Sequence, residues 1–230
     1  MDSIDKSFQI RTKNLVLLPK GYRSSRTYPL LVALHGMGMT AKEFAEILEP
    51  LRSLPLIVLV PEGVYPFEIR LGREMAIGRA WYLYTGDDSE FVESMEKSGR
   101  HVTTLIKRTL AEYPVDNERV AMLGFSQGGY FAGYYGIRHA AYLAGLVVIG
   151  ARVKDEVLPR ELPRAYGLPV LLMHGKKDRA VPLRLARASH HAVQEAVGET
   201  AELRTYDCGH TVTAEQLRDA RTWLKKTLGL

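Results

Sequence analysis

A single serine stands between glycines where a strand pattern changes into a helix pattern, in VAMLGFSQGG at residues 120–129. A sharp strand-to-helix turn exposes such a hydroxyl, and glycines at 124 and 128 keep side chains away from neighbouring elements. We therefore predict that Ser126 is a nucleophile. The same turn would place the Gln127 backbone N–H at a helix N-terminus, where it can stabilise an oxyanion.

A serine hydroxyl needs a histidine base, and the histidine needs a third group that orients it. Asp178 follows the buried strand of PVLLMHGKKDRAVP, and His210 follows the strand of AELRTYDCGH. All three residues thus come after strands, so a parallel sheet would bring them to one edge. Asp207, three residues before His210, is an alternative acid. We rank it below Asp178 because it lies at the end of the strand that leads to His210 itself.

A glycine-rich loop follows the apolar run at 30–34 and supplies a second candidate oxyanion donor. Gly36 and Gly38 let the backbone turn close to the serine, so the Met37 N–H can point into the site beside that of Gln127. A dinucleotide-binding loop would need a third glycine at the position of Ala41. The loop therefore favours acyl chemistry over nucleotide binding.

These residues must be positioned by alternating strands and helices. The apolar runs of strand length lie at 15–18, 30–34, 56–60, 120–123, 143–149 and 170–173. Most of them are continuous rather than alternating, which is typical of strands buried on both faces of a parallel sheet. Helical patterns lie between them, two of which open with capping boxes at Thr40 and Thr213. The pattern predicts an α/β fold, a doubly wound, mostly parallel sheet with helices on both faces.

Two longer stretches, 61–88 and 151–168, read as irregular. Loops at the carboxyl ends of strands build the sites of such sheets, so these stretches are candidates for pocket walls or for surface connections. The pocket that we infer is apolar, with Trp81 and Tyr82 as candidate lining residues. Core packing is the alternative for Trp81.

Composition excludes several classes of function. Lys and Arg exceed Asp and Glu by 31 to 26, and the basic residues are scattered among acidic ones, so we expect no nucleic-acid binding. No apolar run is long enough to span a bilayer, so no stable membrane insertion is expected. The single cysteine, Cys208, and the absence of His-x-x-x-His and Cys-x-x-Cys pairs indicate no metal, no cofactor and a cytoplasmic location.

The motifs together resemble the phospholipase/carboxylesterase family of α/β-hydrolases, which includes small carboxylesterases and acyl-protein thioesterases. LHGMG, GFSQGG, HGKKDRAVP and CGH match the blocks of that family in order, from about residue 28 onward. The resemblance implies Ser126, Asp178 and His210 as a catalytic triad and the N–H groups of Met37 and Gln127 as the oxyanion hole. It also implies one α/β-hydrolase domain over residues 1–230, without a large lid domain.

Two features depart from the family. Met39 follows Gly38 where the family usually has an aspartate shortly after the loop, and YPFEIRLGREMAIG has no clear match to the thioesterase branch. The sequence therefore predicts a serine carboxylesterase acting on small acyl esters of short to medium chain length. An acyl-protein thioesterase or a lysophospholipase is the alternative, followed by a serine peptidase or a non-catalytic binding protein on the same fold. A homodimer is left open.

Overall fold

The protein, as a computed structural model, is described over residues 10–230. Residues 1–9, in which the sequence shows no secretory signal, lie outside the described residues. The strands are β1 (Leu15–Leu17), β2 (Tyr28–Leu34), β3 (Ile57–Val60), β4 (Tyr65–Leu71), β5 (Glu74–Ala80), β6 (Val115–Phe125), β7 (Gly145–Ile149), β8 (Val170–Gly175) and β9 (Ala201–Tyr206). The α-helices are α1 (Ala41–Ile47), α2 (Asp88–Glu112), α3 (Gln127–Arg138), α4 (Leu183–Val197) and α5 (Ala214–Thr227).

Seven strands form the central sheet in the order β1-β3-β2-β6-β7-β8-β9. Strand β1 pairs antiparallel with β3, and every other neighbouring pair in this sheet is parallel. Parallel neighbours need crossover connections, and these are made by the helices. The predicted α/β class with a doubly wound, mostly parallel sheet is thus confirmed.

The two faces of the sheet are covered by different helices. Along β2, Leu30, Val32 and Leu34 pack on the face that carries α2, α3 and α4. Leu31 and Ala33 pack on the opposite face, with α1 and α5. Because both faces are buried, the strand needs apolar residues at every position, which explains the continuous apolar runs.

Helix starts follow the capping signals in the sequence. The hydroxyl oxygens of Thr40 and Thr213 accept hydrogen bonds from the backbone N–H groups of Glu43 and Gln216. The side chains of Glu43 and Gln216 in turn accept from the N–H groups of the two threonines, at 2.7 Å in both cases. Both predicted capping boxes are therefore confirmed.

The stretch 61–88 is more regular than the sequence analysis expected. Strands β4 and β5 form an antiparallel hairpin, with Tyr65 opposite Ala80 and Leu71 opposite Glu74. The alternation of apolar and charged residues along β4 fits a two-stranded ribbon, and Gly72, with φ of +65°, supplies the tight turn. The other stretch, 151–168, contains two short 3-10 turns and is otherwise irregular, as predicted.

Candidate active site

Ser126 lies at the turn between β6 and α3 in a backbone conformation that few residues adopt. Its φ is 53° and its ψ is −121°, and within residues 10–230 it is the only residue other than glycine with a positive φ. Its N–H donates to the Ile149 carbonyl at the end of β7, at 2.9 Å. The surrounding sheet therefore holds the strained turn in place, as is common at functional positions.

The glycines around the serine are required by close backbone packing. A Cβ atom on Gly124 would lie 2.1 Å from the Gly128 carbonyl oxygen, and one on Gly128 would lie 2.3 Å from the Leu34 carbonyl oxygen. Both distances are far shorter than a van der Waals contact. The turn can thus bring β6 against α3 only if position 124 lacks a side chain, and it can approach the end of strand β2 only if position 128 does.

The structure brings Ser126, His210 and Asp178 together in one hydrogen-bonded line. The Ser126 Oγ lies 2.8 Å from the His210 Nε2, and the His210 Nδ1 lies 2.8 Å from the Asp178 Oδ2. The side chain of Asp178 is fully buried, whereas that of His210 is 26% exposed. The ring of Phe125 packs against the imidazole, with ring centroids 5.3 Å apart.

The second carboxylate oxygen of Asp178 is held by the backbone of its own loop. Its Oδ1 accepts hydrogen bonds from the N–H groups of Ala180 and Val181, at 2.9 and 2.8 Å. Each oxygen of this buried carboxylate therefore has a donor, and the side chain is fixed in the orientation that faces His210.

The rival acid, Asp207, points away from the site. Its side chain is 72% exposed and forms an ion pair with Lys177 at 2.8 Å. This pairing with Lys177 lowers the pKa of Asp207. The geometry therefore supports the ranking of Asp178 above Asp207.

The two predicted oxyanion donors lie at ends of elements that meet at the serine. Gln127 is the first residue of α3, so its N–H has no acceptor within the helix. Met37 lies in the turn after β2, where the Gly36 carbonyl accepts from the Met39 N–H at 3.2 Å. Among residues 10–230, no acceptor is bonded to the N–H of Met37 or Gln127. Both donors are therefore available to a ligand.

The side chain of Gln127 connects the serine turn to the segment after β5. Its Oε1 accepts from the Trp81 backbone N–H at 2.8 Å, and its Nε2 donates to the Tyr82 carbonyl at 3.0 Å. The Trp81 indole N–H then donates to the His35 carbonyl at 2.8 Å. One network thus runs from the turn that carries Ser126 to the strand end that precedes Met37.

His35 holds the same loop from within the core. Its Nε2 accepts from the Gly63 N–H at 3.0 Å, so its Nδ1 carries the proton and donates to the Gly36 carbonyl at 2.7 Å. Burial lowers the pKa of His35 to about 4. The imidazole is therefore neutral near neutral pH.

The two candidate pocket residues have different positions. Trp81 is fully buried and stacks on Phe131, with ring centroids 5.2 Å apart, so it lies in the core beneath the loop and its assignment to the pocket wall is corrected. Tyr82 is half-buried and packs edge to face on Phe91, with ring centroids 4.9 Å apart. It lines a cleft beside α3.

Sequence reasoning missed two groups that position the site. One is the Gln127 side chain, because the sequence motif predicts a role only for the backbone N–H of this residue. The other is the carbonyl of Arg79 on β5, which accepts from the Gly38 N–H at 2.9 Å. A polar side chain at the first turn of a buried helix was a signal for the first, whereas the backbone contact of Arg79 leaves no trace in the sequence.

In residues 10–230, no three His, Cys, Asp or Glu side chains are grouped so that they could hold a metal ion. Among the helices of the same range, none combines the length and the apolar character needed to cross a membrane.

Comparison with known proteins agrees with this geometry. The model of the phospholipase/carboxylesterase family matches residues 22–228. The chain belongs to this family. The resemblance noted from the sequence motifs is thereby confirmed.

Members of the family with similar sequences carry thioesterase and carboxylesterase names. Acyl-protein thioesterase 1 homolog 2 of Dictyostelium discoideum is 24% identical, over 86% of this chain and 92% of its own length. Carboxylesterase SOBER1 of Arabidopsis thaliana is 27% identical, over 89% of this chain and 92% of its own length. Among solved structures, esterase PE8 superposes with a TM-score of 0.76 at 22% identity, covering 95% of this chain and all of that one.

The family member described here therefore has an α/β-hydrolase fold and is a serine hydrolase of the carboxylic ester hydrolase class. Its relatives support an esterase or thioesterase activity.

Proposed function

We propose that the protein is a serine carboxylesterase that hydrolyses short- to medium-chain acyl esters through an acyl-enzyme intermediate. The observation that carries this proposal is the continuous line of two 2.8 Å hydrogen bonds from Ser126 through His210 to Asp178. Such a line provides a nucleophile, a base and an orienting acid in the arrangement that acyl transfer needs.

In the first half of the reaction, the Ser126 Oγ attacks the carbonyl carbon of the ester while its proton moves to the His210 Nε2. Asp178 accepts from the protonated Nδ1 and stabilises the imidazolium. The negative charge that develops on the carbonyl oxygen is stabilised by the N–H groups of Met37 and Gln127. The carbon–oxygen bond to the alcohol then breaks, and the alcohol leaves with the proton from the His210 Nε2.

In the second half, water attacks the acyl-enzyme carbonyl and gives a proton to the His210 Nε2. The same two N–H groups stabilise the second oxyanion. When the bond to Ser126 breaks, His210 returns the proton to the Oγ and the carboxylic acid is released. Each group thus ends in its starting protonation state, and the cycle closes.

A thioesterase acting on acylated proteins is the second candidate, because apolar side chains are exposed beside the loop that carries Met37. Met37, Met75 and Ile77 are 62%, 57% and 55% exposed, and the hydrogen bond from Gly38 to Arg79 joins the loop to the strand β5 that carries the last two. An exposed apolar surface at the entrance of a site suits a lipid-modified substrate. The thioesterase names of several relatives point in the same direction.

The experiment that tests the proposal is hydrolysis of p-nitrophenyl esters from acetyl to dodecanoyl, compared with a palmitoyl-peptide thioester. Wild type is measured beside Ser126→Ala and beside the matched control Ser25→Ala, which removes an exposed hydroxyl elsewhere. We expect ester turnover that requires Ser126, with an optimum at short or medium chains. Turnover of the thioester alone would replace the esterase assignment by the thioesterase, and turnover that survives Ser126→Ala would overturn both.

A further inference from the structure

A cleft of about 310 Å³ lies next to the loop that holds Asp178, and the proposed reaction gives it no role. Three tyrosines, two basic residues and aliphatic side chains line it, among them Tyr82, Tyr84, Tyr130, Arg152, Lys154 and Leu185. Its size suits one substituent of a small ester.

Hydrogen bonds connect several lining residues to Ser126, Gln127 and Asp178. The Tyr130 N–H donates to the Ser126 carbonyl at 3.0 Å, and the Tyr82 carbonyl accepts from the Gln127 side chain. The N–H groups of Ala180 and Val181, which also line the cleft, donate to Asp178. The cleft therefore adjoins the turn of Ser126 and the loop of Asp178, which makes it a candidate site for one substituent of a substrate held by Ser126.

The basic residues of the cleft already have acidic partners. The Lys154 Nζ pairs with the Asp88 carboxylate and lies 4.7 Å from the centre of the Phe91 ring. Arg152 makes a bidentate ion pair with Glu156, in which the Arg152 Nη1 lies 2.8 Å from the Glu156 Oε2. Because both positive charges are compensated, a second anion would gain little from entering the cleft.

The hydroxyl groups of Tyr82 and Tyr84, in contrast, are available for a ligand, whereas that of Tyr130 lies beside Arg152. Within residues 10–230, the phenol oxygens of Tyr82 and Tyr84 have no hydrogen-bond partner. Burial raises the pKa of Tyr82 and of Tyr130, so both remain neutral hydroxyls that can donate a hydrogen bond. An alkyl chain would remove these hydroxyls from water without offering an acceptor, and that loss is unfavourable.

We propose that this cleft is a subsite for an ester substituent that carries neutral oxygen atoms, such as an ether, hydroxyl or carbonyl oxygen. The enzyme then prefers an oxygenated ester to an alkyl ester of the same length. The inference rests on the proposed esterase activity and specifies its substrate class. It departs from the apolar pocket expected from the sequence, because the Trp81 side chain lies in the core and the lining beside Tyr82 is rich in donors.

The test uses pairs of esters that differ by one oxygen atom in place of one methylene. On the acyl side, p-nitrophenyl 3-methoxypropanoate is compared with p-nitrophenyl pentanoate, and on the alcohol side, 2-methoxyethyl acetate is compared with butyl acetate. Each kcat/KM is divided by the rate of alkaline hydrolysis of the same ester, which removes differences in intrinsic reactivity. We expect a preference of at least about 5-fold for the oxygenated member of one pair, as one added hydrogen bond would give.

Variants then assign the preference to the cleft. Tyr82→Phe and Tyr130→Phe each remove a hydroxyl and keep the ring. In both variants the ratio of the corrected kcat/KM values, oxygenated ester over alkyl ester, should therefore fall toward one. The matched control Tyr142→Phe alters a tyrosine that is 76% exposed outside the cleft, and its preference should equal that of wild type.

Three results would overturn the subsite. Equal rates within both pairs would do so, and so would a preference that survives both cleft variants. A stronger preference for a carboxylate-bearing ester, monoethyl succinate over ethyl pentanoate, would replace the neutral ligand by an anion. If folded wild type shows no Ser126-dependent turnover of any of these esters, the proposed function itself has failed, and this outcome is distinct from equal rates within the pairs.

Discussion

The side-chain amide of Gln127 fixes the main chain of Trp81. The Oε1 accepts the Trp81 N–H at 2.8 Å, and the indole N–H of the same residue donates to the His35 carbonyl at 2.8 Å. Gln127 itself follows Ser126, and His35 precedes the loop of Met37. The two backbone N–H groups proposed to stabilise the oxyanion are thus held relative to each other through two buried side chains, those of Gln127 and Trp81.

Removal of this side chain should impair turnover more than binding. In Gln127→Ala the backbone N–H remains, but Trp81 and the loop of Met37 lose their link to α3, so we expect kcat to fall about 10- to 100-fold with KM within about threefold of wild type. The affinity for an alkyl boronic acid, which mimics the tetrahedral intermediate, should fall in parallel.

The matched control for that experiment is Gln194→Ala on α4, which removes a half-buried amide from a helix outside the site. Its kinetic constants should equal those of wild type. If Gln127→Ala retains full kcat, or loses only affinity for substrate, then the network does not position the oxyanion donors.

The two candidate acids should respond very differently to the loss of charge. Asp178→Asn keeps the size of a fully buried side chain but removes the acceptor that fixes the His210 tautomer, so kcat should fall by about 10³- to 10⁴-fold. Asp207→Asn breaks an exposed ion pair with Lys177 and should leave kcat within about twofold of wild type. Both are measured on one p-nitrophenyl ester; the reverse order would show that Asp207 is the acid.

The fold and the candidate triad were predictable for physical reasons. Strands buried on both faces leave continuous apolar runs, and capping boxes mark helix starts. Ser126 and Asp178 each follow such a run, whereas His210 follows the half-exposed edge strand β9. These signals are local, because burial and capping act on neighbouring residues of the chain.

The parts that could not be predicted depend on contacts between distant residues. The burial of Trp81 follows from its stacking on Phe131 and its bond to His35, and neither contact has a local pattern. The donor-rich cleft likewise combines Tyr82 with Arg152, which are distant in sequence. The β4–β5 hairpin is locally encoded by the alternation along β4, although we predicted an irregular stretch there.

Close packing at the serine turn should make Gly128 intolerant of a side chain. In Gly128→Ala the new Cβ would lie 2.3 Å from the Leu34 carbonyl oxygen, a backbone atom that cannot rotate away. We expect a loss of unfolding free energy of about 3 kcal/mol, measured by urea denaturation, together with a loss of turnover.

Gly99→Ala in α2 is the matched control, since its Cβ would lie 3.7 Å from the Tyr135 ring, an ordinary contact. Alanine is the better helix former, so this variant should gain up to about 1 kcal/mol. Equal stability of the two variants would show that the packing around Gly128 is looser than the structure has it.

His35 should make the protein less stable in mild acid. Its pKa is about 4 in the folded protein and about 6.5 in an unfolded chain, so between these values the unfolded state binds more protons. The contribution of neutral His35 to the free energy of unfolding is therefore complete above pH 6.5 and is lost as the pH falls toward 4. Between pH 7 and pH 5 this loss is about 2 kcal/mol.

Urea denaturation at pH 7 and pH 5 measures this effect as a difference between variants. His35→Gln cannot titrate in this range, so it should lose about 2 kcal/mol less than wild type between the two pH values. His191→Gln, whose ring is 74% exposed, should follow wild type. An unchanged pH dependence in His35→Gln would mean that the buried imidazole is protonated as readily in the folded protein as in the unfolded chain.

The positive φ of Ser126 should appear as a measurable strain. Ser126→Gly and Ser126→Ala both lack the Oγ and should both be inactive, but only glycine adopts a φ of 53° and a ψ of −121° without steric cost. We expect Ser126→Gly to be more stable than Ser126→Ala by about 1 kcal/mol, after allowance for the greater flexibility of glycine in the unfolded chain. At Ser89 in helix α2, where the backbone is ordinary, the same pair of substitutions should give the opposite order. If the Ser126→Ala variant is at least as stable as the Ser126→Gly variant, the turn is not strained. The close packing at Gly124 and Gly128 would then not be needed to hold the serine in a strained conformation.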